Sequence, residues 1–409
     1  MSESVRDSYK WKLLIIVVAS IASISYTQFQ ITASSMVPVL FGTLGIGVAQ
    51  FSALTTSSML VGVFFAIIGG VIADKIGPKI TCTIALALSV CGALLRVFAS
   101  TYGSYFIAMF MLGFGGSFLS MCSAKLFAAW FRPGEMGIAM GGMMAAGSLG
   151  TLLTNATTNA VFHGNLKAAS VVGTLLIAAM LAVWVMYAKE KPEGAPDLPS
   201  MPVLEPLKKA VKSRNVWLIG LCAALAMGFQ MVLNVNYQSA LSIAKGLSDS
   251  GCSLYSALLT IGGALGSVLM PNIIAKIGLN RPAILGASIL SGLLVIIGWN
   301  LCSGAALAVL ITLGAFIGFG SIPPLMGYPA LLEEVGPMNA GSAAGLITTI
   351  QMAGAFFLPA YVLTPIATSN GVTNYGILMT LGAVCSILMG AAAWLLPELG
   401  TRTLSKKGG

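Results

Sequence analysis

"GGVIADKIGPKITC", Gly69 to Cys82, sets an aspartate, two lysines and a Gly-Pro turn between two long stretches that carry no charge. Outward from it in both directions the chain is apolar. Its 409 residues are 57% hydrophobic and 8% charged, which excludes an ordinary soluble globular domain. A helix needs about 20 mostly apolar residues to cross a hydrocarbon layer of about 30 Å. Twelve stretches meet that need, near 11–37, 51–73, 80–99, 104–130, 136–160, 168–187, 216–243, 251–275, 283–301, 305–330, 341–366 and 375–396. Unpaired backbone groups are costly in hydrocarbon and the runs are too long for barrel strands, so all twelve are read as helices. The expectation is an all-α membrane protein of twelve transmembrane helices.

The formal charge of +9 raises the question of a nucleic-acid partner, and the placement of the basic residues answers it. Of the 21 lysines and arginines, all but Arg96, Lys167 and Lys245 fall at alternate connections or at the termini. That asymmetry encodes topology: both termini in the cytoplasm, an even number of spans, an inner (plasma) membrane protein and no nucleic acid. The tail "MSESVRDSYKWK" precedes a long first span without a small-residue cleavage signal, so it reads as a cytoplasmic tail. Cys82, Cys91, Cys122, Cys222, Cys252, Cys302 and Cys385 have no paired spacing, which argues for packing rather than a disulfide frame or a metal site.

The polar stretch from Ala188 to Asn215 divides six spans from six. The expected organisation is an N-terminal bundle over 1–187, a cytoplasmic linker over 188–215 and a C-terminal bundle over 216–409. Sliding the halves by about 201 residues lays "KIGPK", Lys75 to Lys79, over "KIGLN", Lys276 to Asn280, and Gln28 near Gln230. Two similar bundles that rock about a shared site are the plan of a secondary transporter. Gly70 through Lys79 resembles the G-x-x-x-D-[RK]-x-G-[RK]-[RK] loop of the major facilitator superfamily, with Pro78 at one basic position. In the second copy Pro271 and Ala275 replace the Gly and the Asp. Within that superfamily, Ala124 to Thr151, with its Trp-Phe-x-Pro turn and Gly-rich continuation, resembles the organic-anion and monocarboxylate carriers. Close packing of helices in lipid favours the same small residues.

The resemblance implies a gate at the opening stretch. Asp74 would lie against the N-terminus of the eleventh helix, read as starting at "MNAGSAAG" from Met338 with Asn339 and Ser342 as caps, and would meet Arg132 at the end of the fourth helix. Gly77 would supply the turn, Gly70 a close helix contact, and Lys75 and Lys79 the anchor. The alternative is that this loop only sets orientation.

The resemblance also places substrate near mid-membrane, between the halves. The first span carries Ser25, Gln28, Thr32 and Ser35 as one polar stripe, and the seventh does the same with Gln230, Asn234, Tyr237 and Gln238. Thr151, Asn155 and Asn159 recur at every fourth residue of the fifth span, and Thr348 and Gln351 sit near the centre of the eleventh. Each buried amide either contacts the solute or binds a neighbouring helix. Tyr237, Tyr328 and Tyr361 offer hydroxyls or apolar walls.

Every acidic residue lies outside the spans or at their ends, and the only histidine, His163, belongs to a connection. Proton coupling through a buried acid is therefore not expected. Arg96 reads as snorkelling to headgroups. Lys125, about 9 Å along the helix from Phe131, either snorkels or holds a carboxylate. The oxalate-formate exchangers carry cations deep in their eighth and eleventh helices, where this chain has Tyr255, Thr260 and Gln351, so a dicarboxylate is disfavoured. Met109, Met111, Met121, Met140, Met143 and Met144 are either an adaptable wall for an amphipathic ligand or ordinary packing. No phosphate-binding Gly-rich loop and no nucleophile-base set appears, so neither an enzyme nor a cofactor is expected.

The sequence reading is thus a monomeric carrier of a small organic solute, foremost a monocarboxylate, working by alternating access. Substrate contacts fall to Gln28, Thr32, Asn155, Gln230, Asn234, Tyr237, Gln351 and Lys125, and gating to Gly70, Asp74, Lys75, Gly77 and Arg132. Export of amphipathic compounds and a transport-fold solute sensor are the alternatives.

Overall fold

The structure, a computed structural model, describes residues 3–131, 135–189, 204–332 and 334–399. The chain begins with α1 (Glu3–Phe29), a 3-10 turn over Gln30–Thr32 and the short α2 (Val37–Leu44), which Gly45 closes at φ 62°. The second span is two helices, α3 (Val48–Thr56) and α4 (Leu60–Ile76), separated by a 3-10 turn at Ser57–Met59. The cause is local. Thr55 and Thr56 donate their hydroxyls to the carbonyls of Phe51 and Ser52, a back-bonding that bends helices. Gly77 then takes φ 85° and ψ 148°, and Pro78 opens α5 (Pro78–Phe98) in the first turn, where its missing N–H costs nothing. A Thr101/Ser104 capping box starts α6 (Tyr102–Trp130), and Asn165 caps α8 (Leu166–Tyr187), which follows α7 (Met136–Phe162).

The second half contains α9 (Leu204–Lys212), α10 (Arg214–Lys245), α11 (Asp249–Ile277) and α12 (Asn280–Leu301). Ser213 and Ser248 cap α10 and α11, and Gly246 and Gly278 end them at positive φ. The tenth span is also broken, into α13 (Gly304–Gly320) and α14 (Ile322–Leu331), where Ser321 bonds back to Ile317 and two prolines follow. The eleventh is α15 (Gly336–Phe357), a π-helical stretch over Leu358–Leu363 and α16 (Thr364–Ile366). Pro359 lacks an N–H, and in the widened register its carbonyl accepts both the Thr364 backbone N–H and the Thr364 hydroxyl, the latter at 2.7 Å. A two-residue pair, β1 (Thr368–Ser369) with β2 (Val372–Thr373), leads to α17 (Tyr375–Trp394).

Among the described residues, eleven helical stretches are long and apolar enough to cross a membrane. α7, at 27 residues, is also long enough to span one. Within the stretch read as linker lies α9, which packs on α15. One expectation needs correction. The eleventh helix starts two residues before Met338, at Gly336, with Val335 as its cap residue and no side-chain cap bond, and with Pro337 in the first turn, where a missing N–H costs nothing.

Contacts group the chain into two compact units, Met1–Ile46 with Ser57–Met201, and Gly47–Thr56 with Pro202–Gly409. In the first, α5 packs on α6 and α8, α1 on α7 and α8, and α4 on α6. In the second, α12 packs on α13 and α17, α10 on α15 and α17, and α11 on α13. Span for span the two sets of pairings are the same, so the weak repeat of "KIGPK" and "KIGLN" marks a true structural repeat.

Candidate functional site

In the first unit the polar residues converge where α1 ends. A helix terminus leaves carbonyls without partners, and here side chains supply them. Thr154 of α7 donates to the Tyr26 carbonyl at 3.0 Å, Thr32 to that of Phe29 at 2.8 Å, and Arg96 of α5 to that of Thr27. Arg96 also reaches Gln30 Oε1 at 2.7 Å and Ser170 Oγ at 3.1 Å. Only 3% of Arg96 is exposed, so it is a buried C-terminal cap, and the snorkelling expected of it is wrong. Its fork of donors matches three acceptors, on α1, the 3-10 turn and α8, which a headgroup contact would forfeit.

Asn159 closes the same region, accepting from the Ser35 backbone and hydroxyl at 3.1 and 2.7 Å and donating to Ser34 Oγ at 3.0 Å. The α7 stripe therefore binds α1 at Thr154 and the segment between the 3-10 turn and α2 at Asn159, while Thr151 bonds back to Gly147. Gln28, Thr32 and Asn155 are buried, and Lys125 is partly buried on α6.

At the other end of this unit Lys10 pairs with Glu135 at 2.6 Å, joining the starts of α1 and α7. Tyr9 donates to the Tyr187 carbonyl at 2.7 Å and its ring lies 4.1 Å from that of Trp130. Lys75 is exposed beside Gly77. Arg132 lies outside the described residues, as do the side chains of Asp74, Met338 and Asn339 and the surroundings of Gly70.

In the second unit α10 is the most enclosed of the spanning helices. Between Ala226 and Leu241 only Met227, Gln230 and Asn234 are partly exposed, at i, i+3 and i+7, and so on one face. Tyr237 and Gln238 are buried, with the Tyr237 ring 6.3 Å from that of Trp299. The structure therefore divides the predicted stripe: two amides stay accessible and two polar residues join the core. Gln351 of α15 is buried.

Asn236 was not singled out by sequence, because it falls off the stripe. It is fully buried, accepts from Ser52 of α3 at 3.3 Å, and its amide nitrogen has no partner among the described residues. Lys245 ends α10 by donating to the Trp299 carbonyl at 2.8 Å, with its ammonium 5.2 Å from the Trp299 ring. Ser213 and Asn215 both bond Glu334 at the opposite end of the unit.

The Major Facilitator Superfamily model matches residues 18–359. A probable nitrate/nitrite antiporter, NarK1, of Thermus thermophilus is 23% identical over 363 residues, 78% of this chain and 80% of that protein. Among solved structures, a bacterial homologue of the human lysosomal transporter Spinster, inward-facing and unoccupied, superposes with a TM-score of 0.74 at 14% identity, over 97% of this chain and 98% of that one. The nucleoside transporter NupG superposes with a TM-score of 0.71 at 14% identity, over 92% and 98%. Those two likenesses establish the fold. A repeated six-helix pairing, polar residues held inside apolar spans and a family match over most of the chain lead to one conclusion: this protein belongs to the Major Facilitator Superfamily and is a secondary transporter of a small solute, not an enzyme.

Proposed function

We propose that the solute is a small monoanion, of the monocarboxylate class, carried by alternating access. The observation that carries this reading is the accessible pair Gln230 and Asn234 on the otherwise enclosed α10. Amide N–H groups solvate a single negative charge without the cost of holding a buried counter-charge. A dianion would ask for fixed cations, and Arg96 is already committed to Thr27, Gln30 and Ser170. The absence of acidic residues from the middle of the spans removes the repulsion an anion would meet. The curated relative is named for nitrate and nitrite, both monoanions, which supports the charge class. Gln28, Asn155 and Gln351 are proposed as the remaining polar contacts, with Thr32 and Tyr237 setting their surroundings and Lys125 meeting the anion on its way to the membrane surface.

Proteoliposomes preloaded with an unlabelled monocarboxylate and offered labelled monocarboxylates, nitrate, a nucleoside and an amphipathic dye test the reading. Saturable monocarboxylate uptake, faster in preloaded vesicles, is expected. Gln230→Leu and Asn234→Leu should each lower kcat/KM by about tenfold, the equivalent of ~1.4 kcal/mol. Flux of nucleoside or dye without any monoanion flux overturns it.

A further inference from the structure

The second copy of the opening motif has lost its acid and kept its first base, with Asn280 at the place of Lys79 and a new base, Arg281, one residue on, and the transport reading leaves it without a role. Ala275 stands where the first copy has Asp74, followed by Lys276 and, past the turn at Gly278, by Arg281. Beside this turn, on the flank formed by α11, α12 and α13, is an open apolar groove of about 610 Å³. Met270, Ile277, Pro282, Gly286, Leu290 and Phe316 are among the residues that line it.

The first unit provides an internal control. Its counterpart, between α4, α5 and α6, encloses only about 150 Å³ and is lined by Phe65, Ala85, Phe114 and Phe118. The rings of Phe114 and Phe118 are stacked at 5.9 Å, and Phe65 lies 5.3 Å from Phe114. At the 201-residue offset that lays Lys276 over Lys75, the positions of Phe65, Ala85 and Phe114 are taken by Gly266, Gly286 and Ala315. Aromatic bulk fills one groove; in the other Gly286 adds no side chain to the lining, while Gly266 packs on the Phe316 backbone and the position of Phe118 keeps an aromatic, Phe319.

We infer that the groove on α11, α12 and α13 is a binding site for one anionic phospholipid, with an acyl chain along the groove and the headgroup phosphate at Lys276 and Arg281. The dimensions agree. From Pro282 to Leu290 the groove runs about 12 Å along α12, close to the ~15 Å depth of one hydrocarbon leaflet. The charge agrees as well. Lys276 is exposed one residue from the lining Ile277, and Arg281 directly precedes the lining Pro282. Arg281 is fixed by its bond to the Trp394 carbonyl and by the Trp394 ring, 4.9 Å from its guanidinium carbon, while its Nε has no partner among the described residues. One acid, Glu398, lies at the same turn, where its oxygens accept backbone N–H groups from Asn280 at 2.8 Å and Arg281 at 2.9 Å, so two bases against one acid leave the turn net positive. Basic pockets between spanning helices are where anionic headgroups are held.

The test uses the full chain in zwitterionic detergent and is independent of transport. Phosphatidylglycerol and phosphatidylcholine are titrated separately, with bound lipid counted by native mass spectrometry and melting followed in parallel. Phosphatidylglycerol is expected to bind more tightly and to raise the melting temperature further. Lys276→Gln should weaken phosphatidylglycerol about fivefold, the effect of one basic residue near an anionic surface, and leave phosphatidylcholine unchanged. Gly286→Phe, at a position where an added side chain meets open space, should displace both lipids from this site while the lipid-free protein melts as before. Equal binding of the two lipids by the unsubstituted protein overturns the inference, and so does a phosphatidylglycerol preference that survives both substitutions.

Discussion

A charged residue in an apolar run has two fates, to reach for water or to find enough partners to stay inside, and Arg96 shows how the choice is made. The sequence shows a cation near the end of a span, where snorkelling is the ordinary outcome. It does not show that α1 breaks at Phe29, leaving the Thr27 carbonyl and Gln30 within reach of the same guanidinium. Arg96→Met should therefore destabilise the protein by about 1–3 kcal/mol for each buried polar group left unpaired. Arg96→Lys should recover only part of this, since an ammonium lacks the planar fork that engages three acceptors. Thermal melting in detergent decides the matter; full recovery by lysine would return Arg96 to the headgroups. At the same scale Gln230 and Asn234 were legible as a stripe, but Asn236 was not, because its partner Ser52 is 184 residues away.

The spans were legible as helices because twelve apolar runs in lipid have no other way to satisfy their backbone. Their interruptions were less so. Ser57–Met59, Ser321 and the π-helical Leu358–Leu363 lie inside runs that hydropathy reads as continuous, yet each has a local cause in hydroxyls that bond back or in proline. Helix pairing depends on small residues at points of close approach. A Cβ on Gly354 of α15 would come within 2.5 Å of the Cα of Ala224 on α10, so Gly354→Leu should push these helices apart. The expected cost is about 1–3 kcal/mol, read as a lower melting temperature, with Gly286→Leu, where an added Cβ meets nothing within 4 Å, as the control. Asn159→Leu should lower the melting temperature as well, by removing the bonds from α7 to Ser34 and Ser35 in the segment that follows α1.

For the whole molecule we propose that Asp74, Gly70, Lys75, Gly77 and Arg132 form the gate implied by the opening stretch, and that both termini are cytoplasmic. Asp74→Asn should then slow exchange in proteoliposomes several-fold while expression and melting stay near those of the parent protein; unchanged exchange rates would remove the gate. The sequence by itself determined the solvent, the helical class, the number of runs and the repeat, because those follow from composition, backbone hydrogen bonding and a fixed offset between two motifs. Only the tertiary structure decided which polar residues are cement and which stay accessible. It made Arg96 a cap, turned Asn159 toward Ser34 and Ser35, and left Gln230 and Asn234 partly exposed. The physical reason is that a buried polar group is satisfied by whatever lies beside it in space, and in a bundle of this kind those neighbours belong to helices far away in sequence.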